Sequence, residues 1–286
     1  MPISLSSNPA SLGAQNTLTR TTNQLNKTFE KLSSGLRINT GADDPAGLAL
    51  ADSLNASARI ASVAIRNAND GLSLTSITDA ALEQVGQILT RMAELATQGG
   101  NGTYSTTQMS ALSLEFVALG SEIDRIAKVT TFNNINLLSN SSAVTLQVGL
   151  NSQATGQITL TNVLGTLESL GLANTGSSAL SYSLLGTTTA NAQSAAILAL
   201  DAINGAIGSL SARRGSIGAF ESRLSYAIDF LSTSRENFLA SESRIRDADV
   251  AQEVANMVRL QVLQQAGTAV LAQANQQPQI ALSLLR

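Results

Sequence analysis

Along four stretches of this 286-residue chain, apolar residues recur at alternating steps of three and four, the spacing that draws a stripe down one side of an α-helix. The clearest stripe runs from Met109 through Leu112, Phe116, Leu119 and Ile123 to Ile126. A second carries Leu82, Val85, Leu89, Met92 and Ala96. Near the amino end Leu18, Leu25 and Leu32 form one seven-residue series, with Thr22, Phe29 and Leu36 interleaved four residues on. The fourth follows Ile203, Ile207, Leu210, Arg214, Ile217, Glu221, Leu224, Ile228 and Leu231, with Arg214 and Glu221 as two polar interruptions. Such a sequence folds into long amphipathic helices that must cover one another, on the order of 40–60 Å each at the helical rise.

Between the second and third stripes Gly99-Gly100-Asn101-Gly102 breaks the helix and predicts an antiparallel pair. Residues 139–190 turn rich in Ser, Thr, Gly and Asn, and the helical period vanishes. Within them Val144-Thr145-Leu146-Gln147-Val148 alternates apolar with polar, as Gln157-Ile158-Thr159-Leu160 does, with NSQATG between them. That pattern predicts a β-hairpin, and the rest, to about Ala190, reads as loops with at most one small element. From Ile245 to about Asn275, Val250, Val254, Val258 and Val262 recur at steps of four, widened by Met257, Leu260, Leu263, Val270 and Leu271. A helix apolar over so much of its circumference needs partners on more than one side. The expected fold is mainly α, a rod of long antiparallel, coiled-coil helices from both chain ends, with one small β-hairpin region at the far end.

Composition removes most enzyme classes. With no Cys and no His, a disulfide framework, a thiolate or imidazole metal site, a Cys nucleophile and a Ser-His-Asp triad are all closed. The acidic pair Asp43-Asp44 and the stretch Glu242 to Asp249 read more simply: the first as a helix start ahead of Pro45, with Asp44 as its cap, the second as a charge network with Arg244 and Arg246. No catalytic residue, metal or cofactor is expected. Seventeen basic against 20 acidic residues give no footprint for nucleic acid or an anionic membrane. The amino end has no basic n-region followed by an apolar h-region, and no run reaches a membrane span, so no membrane insertion is expected. By those signals the protein reads as cytosolic, although export systems that recognise unfolded termini leave no such trace.

For the three middle stripes the simplest reading is the core of a helical bundle. Termini are usually frayed and polar, whereas these are long and apolar. Two such ends suggest self-assembly, and a head-to-tail contact that does not close a ring makes a helical filament.

The carboxyl end SRIRDADVAQEVANMVRLQVLQQAGTAVLAQANQQPQIALSLLR resembles bacterial flagellin, the subunit of the flagellar filament, with QANQQPQIALSLLR its most distinctive part. On the amino side LSSGLRINTGADDPAGLALAD, RNANDGLSLTSITDAALEQVGQILTRMAELATQG and EIDRIAKVTTFNNINLL resemble the same family in the same order. The resemblance covers roughly residues 1–140 and 195–286. It implies an inner coiled-coil domain from residues 1–45 and 238–286, and an outer-tube helical domain from 46–140 and 191–237. Residues 141–190 then form the hairpin and a short variable segment, as in a minimal member of the family.

The same resemblance implies a secreted, extracellular homopolymer for swimming motility, exported unfolded through the flagellar channel. Its implied partners are further copies of itself, an export chaperone, the filament cap and junction proteins, and host flagellin receptors. Arg37, Asn39, Asp43 and Asp44 fall in a segment similar to the one plant receptors recognise, although Pro45 stands where many members have Ala. The determinants of animal Toll-like recognition and of subunit contact fall on Arg91, Leu95 and Glu115. Inner coiled-coil assembly is expected from Leu18, Leu25, Phe29, Leu32 and Leu36, paired with Val254, Val258, Val262, Val270, Leu271, Leu284 and Leu285. Arg214 and Glu221 either fix register or lie along a helix edge. Two competing functions are a hook-filament junction adaptor, which shares the terminal architecture, and a cell-surface adhesion protein using the Ser/Thr-rich middle.

Overall fold

The computed structural model describes residues 8–151, 153–161, 163–186 and 188–284, with only the backbone path described for residue 189 and for 277–284. Five α-helices make up most of it: α1 (Pro9–Ser34), α2 (Pro45–Gly99), α3 (Thr106–Val129), α4 (Thr189–Arg246) and α5 (Val250–Leu284). Four short strands lie between α3 and α4: β1 (Thr131–Phe132), β2 (Ile135–Asn136), β3 (Val144–Gln147) and β4 (Gln157–Leu160). The protein divides into two compact units, one of residues 1–58 with 235–286 and one of residues 59–234, so that α2 and α4 each contribute to both.

Local chemistry sets the helix ends. Pro9 occupies the first turn of α1, where its missing N–H is no loss, and Asn8 caps that turn by accepting from the Ser11 amide at 3.2 Å. Gly35 ends α1 in the left-handed conformation, φ 71°. The expected boundary at Pro45 is where α2 begins, and the Asp44 carboxylate caps it by accepting from the Gly47 amide at 2.9 Å. Gly47 leaves room for that cap, since a Cβ there would collide with the Asp44 carboxylate and lie 2.8 Å from Ile38 Cδ1. Ser105 and Gln108 close a capping box at the start of α3. The last helix begins with the first of its spaced valines and not at the expected Ile245. Ile245 and Arg246 belong to α4, and α5 starts at Val250 after Asp249 accepts from the amides of Ala251 and Gln252.

In the unit of residues 59–234, α3 and α4 both run antiparallel to α2. Their shared core takes Leu82, Val85, Leu89, Met92 and Leu95 from α2, Met109, Phe116 and Ile123 from α3, and Ile203, Leu210, Ile217 and Leu224 from α4. Ala192, Ala196, Ala199 and Ala206 are buried along α4, small residues that let helices approach closely. Arg214, half-buried between Leu210 and Ile217 on this stripe, reaches across to α2. It makes two hydrogen bonds to the Asp79 carboxylate, at 2.8 and 3.0 Å, and sits 3.6 Å from Glu83.

Those hydrogen bonds from Arg214 hold the Asp79 carboxyl below its ordinary pKa. A carboxylate whose folded pKa is depressed stabilises the fold above its unfolded pKa and loses that contribution as pH falls through the folded value. Asp79→Asn is therefore expected to melt below the native protein at neutral pH. The gap should close as pH drops below the ordinary aspartate range, and a gap unchanged by acid would exclude this pairing as its source.

The expected hairpin is present, with Val144 opposite Leu160 and Gln147 opposite Gln157. It lies on α2 at Gly71, where a Cβ would strike Leu146, and the Asn67 side-chain Nδ2 donates to the Gln147 carbonyl at 3.0 Å. A smaller hairpin joins β1 to β2 through Asn133 and Asn134, both with positive φ (47° and 63°), the backbone a two-residue reversal demands. The segment that follows β4 is no polar fringe: Val163, Leu167, Leu170, Leu172 and Leu184 are buried in the same core. Its tip is a closed neck, with Ala173 bridged to Leu180, the Ser181 amide donating to Leu172 at 2.9 Å, and Gly176 at φ 76° in the turn between.

Candidate assembly surfaces

In the unit of residues 1–58 with 235–286, α1 and α5 pair along their length. Their direction follows from cross-links: Lys31 is 3.8 Å from Glu253, Gln264 donates to Thr22 at 3.3 Å, Ser11 donates to Asn275 at 2.7 Å, and Asn8 donates to the Ala274 carbonyl at 2.8 Å. Partner numbers rise on one helix as they fall on the other, so the pair is antiparallel. On α1, Thr21, Leu25 and Thr28 are buried, with Leu18 and Leu32 half-buried on the same stripe. On α5, Leu260 and Ala274 are buried, with Gln264, Gly267 and Leu271 half-buried between them. A Cβ on Gly267 would lie 3.5 Å from Leu18 Cδ1, so this glycine sets a close approach.

The seam therefore differs in phase from the expected one. Leu18, Leu25, Leu32 and Leu271 are on it, but the buried interleaved positions are Thr21 and Thr28; Thr22 lies at the edge, half-buried and bonded to Gln264, and Phe29 is off the seam. Phe29 points outward at 48% exposure, because the step after each leucine is three residues and not four. Leu36 lies past Gly35, outside α1, and bridges Asp247. Val254, Val258, Val262 and Val270 do not pair with α1; they stand on the outer side of α5 at 40%, 50%, 58% and 59% exposure, with Val250 and Leu263 beside them. Leu284 ends α5 with its side group outside what is described, and Leu285 lies outside the described residues. The seam residues that the sequence reading missed, Thr21, Thr28, Gln264, Gly267 and Ala274, do carry a three-four spacing, but in small and polar residues that an apolar count passes over.

A tight corner closes this unit. The Arg37 amide donates to the Arg246 carbonyl and its guanidinium to the Ile245 carbonyl, both at 2.6 Å, while Ala248 donates to Gly35 at 2.9 Å. Asn39 donates to the Glu30 carbonyl at 3.2 Å. Asp43 accepts from the amides of Thr40 and Asn39 and from the Thr40 hydroxyl, and the Thr40 amide foremost lowers its pKa. With Asp44 capping α2, all four residues of the receptor-like segment are occupied by internal bonds. Glu242 accepts from Asn55 on both oxygens at 2.9 Å, and Arg246 lies 3.6 Å from Asp52 and 3.9 Å from Glu242. The stretch from Glu242 to Asp249 is thus spent on corner bonds and the α5 cap.

In the other unit Arg91 on α2 donates to Glu115 on α3 at 2.9 Å and to Glu94 at 3.0 Å; these bonds, Glu94's first, raise the guanidinium pKa. Arg91 and Glu115 are about half exposed, at 50% and 44%. Leu95 is not beside them at the surface. It is fully buried in the core, at 0%. Apolar residues flank this surface, among them Leu114 at 72% and Val117 at 47% on α3. Among the described residues no group of three or more acidic residues is placed to hold a metal ion.

Comparison with known proteins places these helices. Residues 5–143 match the bacterial flagellin N-terminal helical region, and residues 200–285 match the bacterial flagellin C-terminal helical region. The protein is 42% identical over 268 residues to a flagellin of Halalkalibacterium halodurans, an alignment that spans 92% of this sequence and 93% of that one. It is 38% identical over 301 residues to a flagellin of Bacillus subtilis, across 98% of each. The crystal structure of Bacillus cereus flagellin is similar at 30% identity with a TM-score of 0.47, over 58% of this protein and 88% of that one.

Proposed function

This chain belongs to the bacterial flagellin family and is a structural subunit of the extracellular flagellar filament, and we propose that the outward faces of its α1–α5 pair carry the polymerisation. The observation that supports this is the row of valines on α5 left bare after α1 has been covered. Apolar surface of that extent in water is destabilising, and burying it against another copy contributes about 25 cal/mol per Å². Phe29 and Leu12 on α1 are further exposed apolar side chains of the same unit.

In this reading residues 1–45 and 238–286 form the inner coiled coil, 46–140 and 191–237 the outer tube, and 141–190 its hairpin and short variable segment. The subunit crosses the export channel unfolded, and the absence of Cys removes any risk of cross-linking in transit. An export chaperone covers the apolar end before transit, the cap receives it at the tip, and junction proteins seat the first subunits. Arg91 and Glu115 serve subunit contact, and Toll-like receptors read the same exposed pair. Arg37, Asn39, Asp43 and Asp44 are bonded internally, so a plant receptor reads them from the released segment and not from the folded corner.

Seeded polymerisation tests the assembly claim, setting the full-length protein against a form lacking residues 1–40 and 246–286 by electron microscopy and sedimentation. Long uniform filaments from the first and a soluble monomer from the second are expected. A full-length protein that stops at short rings would give first place to the junction adaptor.

A further inference from the structure

Two Asn-Gly pairs occur in the sequence, Asn101-Gly102 and Asn204-Gly205, and the fold treats them differently. Both asparagines are exposed, so access of water does not separate them. Their backbones do. Asn204 and Gly205 lie inside α4, where the Gly205 N–H is held in the helical ladder and the backbone in α geometry. Asn101 and Gly102 lie in the turn joining α2 to α3, and among the described residues no backbone acceptor engages the Gly102 N–H. Nothing crowds it: a Cβ on Gly102 would come no nearer than 3.8 Å to the Gln193 amide. The turn is tied on either side of this pair, by Gln193 donating to the Gly100 carbonyl at 3.0 Å and Gln98 to the Tyr104 hydroxyl at 2.8 Å.

We propose that Asn101 is a site of non-enzymatic deamidation, and that α4 keeps Asn204 intact. The Gly102 nitrogen, its proton lost to solvent base, attacks the carbonyl carbon of the Asn101 carboxamide. The bond from that carbon to the carboxamide nitrogen breaks and ammonia leaves, closing a five-membered succinimide. Water then opens the ring on one side or the other. Cleavage between the ring nitrogen and the former carboxamide carbonyl gives aspartate; cleavage between that nitrogen and the backbone carbonyl gives isoaspartate, in which the backbone runs through Cβ. No oxidant or enzyme is required. Glycine favours the step because its backbone turns freely and carries no Cβ to block the attack. In α4 the same attack needs the helix opened first.

Each conversion adds a negative charge just beyond the carboxyl end of α2, where the helix dipole makes it unfavourable. Isoaspartate also lengthens the turn that Gln193 and Tyr104 hold. In a polymer whose subunits are not replaced, the converted fraction increases with the age of the subunit.

Peptide mass spectrometry over a time course tests this on the full-length protein at neutral and mildly alkaline pH, folded and in urea. In the folded protein the Asn101 peptide is expected to convert many-fold faster than the Asn204 peptide, faster still at the higher pH. In urea the two rates should converge, and Gly102→Ala should slow the first. Equal rates in the folded protein would overturn the proposal. So would a gap that survives in urea, which would assign the difference to neighbouring sequence and not to the fold.

Discussion

The paired substitution Val258→Asp and Val262→Asp is expected to raise the concentration needed for polymerisation by about a hundredfold or more, a penalty of ~3 kcal/mol or greater. Each valine keeps about half its surface for a neighbour, at 50% and 58% exposure, so the lost transfer energy is roughly 1 kcal/mol apiece. The larger part comes from the carboxylates, which must leave water unpaired when a second copy arrives. Neither residue touches α1, and valine and aspartate have similar helix propensity. The monomer should therefore fold as before, with the thermal transition of residues 59–234 unmoved. Sedimentation across a concentration series reads the effect. Filaments growing from the doubly substituted protein at the native concentration would mean that this face of α5 looks into solvent, and the polymerisation contact would have to be sought elsewhere.

Leu95→Ala and Arg91→Ala should separate cleanly, although the family resemblance names both residues for the same role. Leu95 is fully buried among Met92, Phe116 and the rest of the core, and truncation to alanine costs about 2–5 kcal/mol there. In a unit of this size each kcal/mol lowers the melting temperature by roughly 2–4 °C. Arg91 is half exposed, and its solvated ion pairs add little to stability. Arg91→Ala should leave melting nearly unchanged while altering whatever binds the surface. If Leu95→Ala melted like the native protein and weakened binding as much as Arg91→Ala does, the placement of Leu95 in the core would be wrong.

Much of this architecture is legible in the amino-acid order. Met109, Phe116 and Ile123 announce α3 because a helix with one buried face must repeat its apolar residues near 3.6. Val144–Gln147 and Gln157–Leu160 announce a hairpin through strict alternation. The phase of the terminal pair is harder. Two interleaved series fit α1 equally well by spacing, and an apolar count chooses Phe29 over Thr28. The fold turns Thr28 inward, in the same phase that buries Thr21 and Leu25, and leaves Phe29 at 48% exposure. Val163, Leu167, Leu170 and Leu184 were illegible for another reason. They reach the core from irregular turns, so no period marks them in a stretch otherwise rich in Ser and Thr. The accessible pair Arg91 and Glu115 came into view through family resemblance alone, since an ion pair between two helices leaves no periodic trace in either.

The bridge between Ala173 and Leu180 makes the loop it closes a natural cloning site. Its two ends are pinned side by side and its tip at Thr175, Gly176 and Ser178 is exposed. Lengthening a loop whose ends are already adjacent costs only a slowly growing closure entropy, ~0.6 kcal/mol for each doubling. A foreign epitope or a small folded cargo spliced in after Gly176 would hang from that neck without disturbing Leu172 or Leu184 beneath it. The scaffold would then carry one copy of its passenger per subunit.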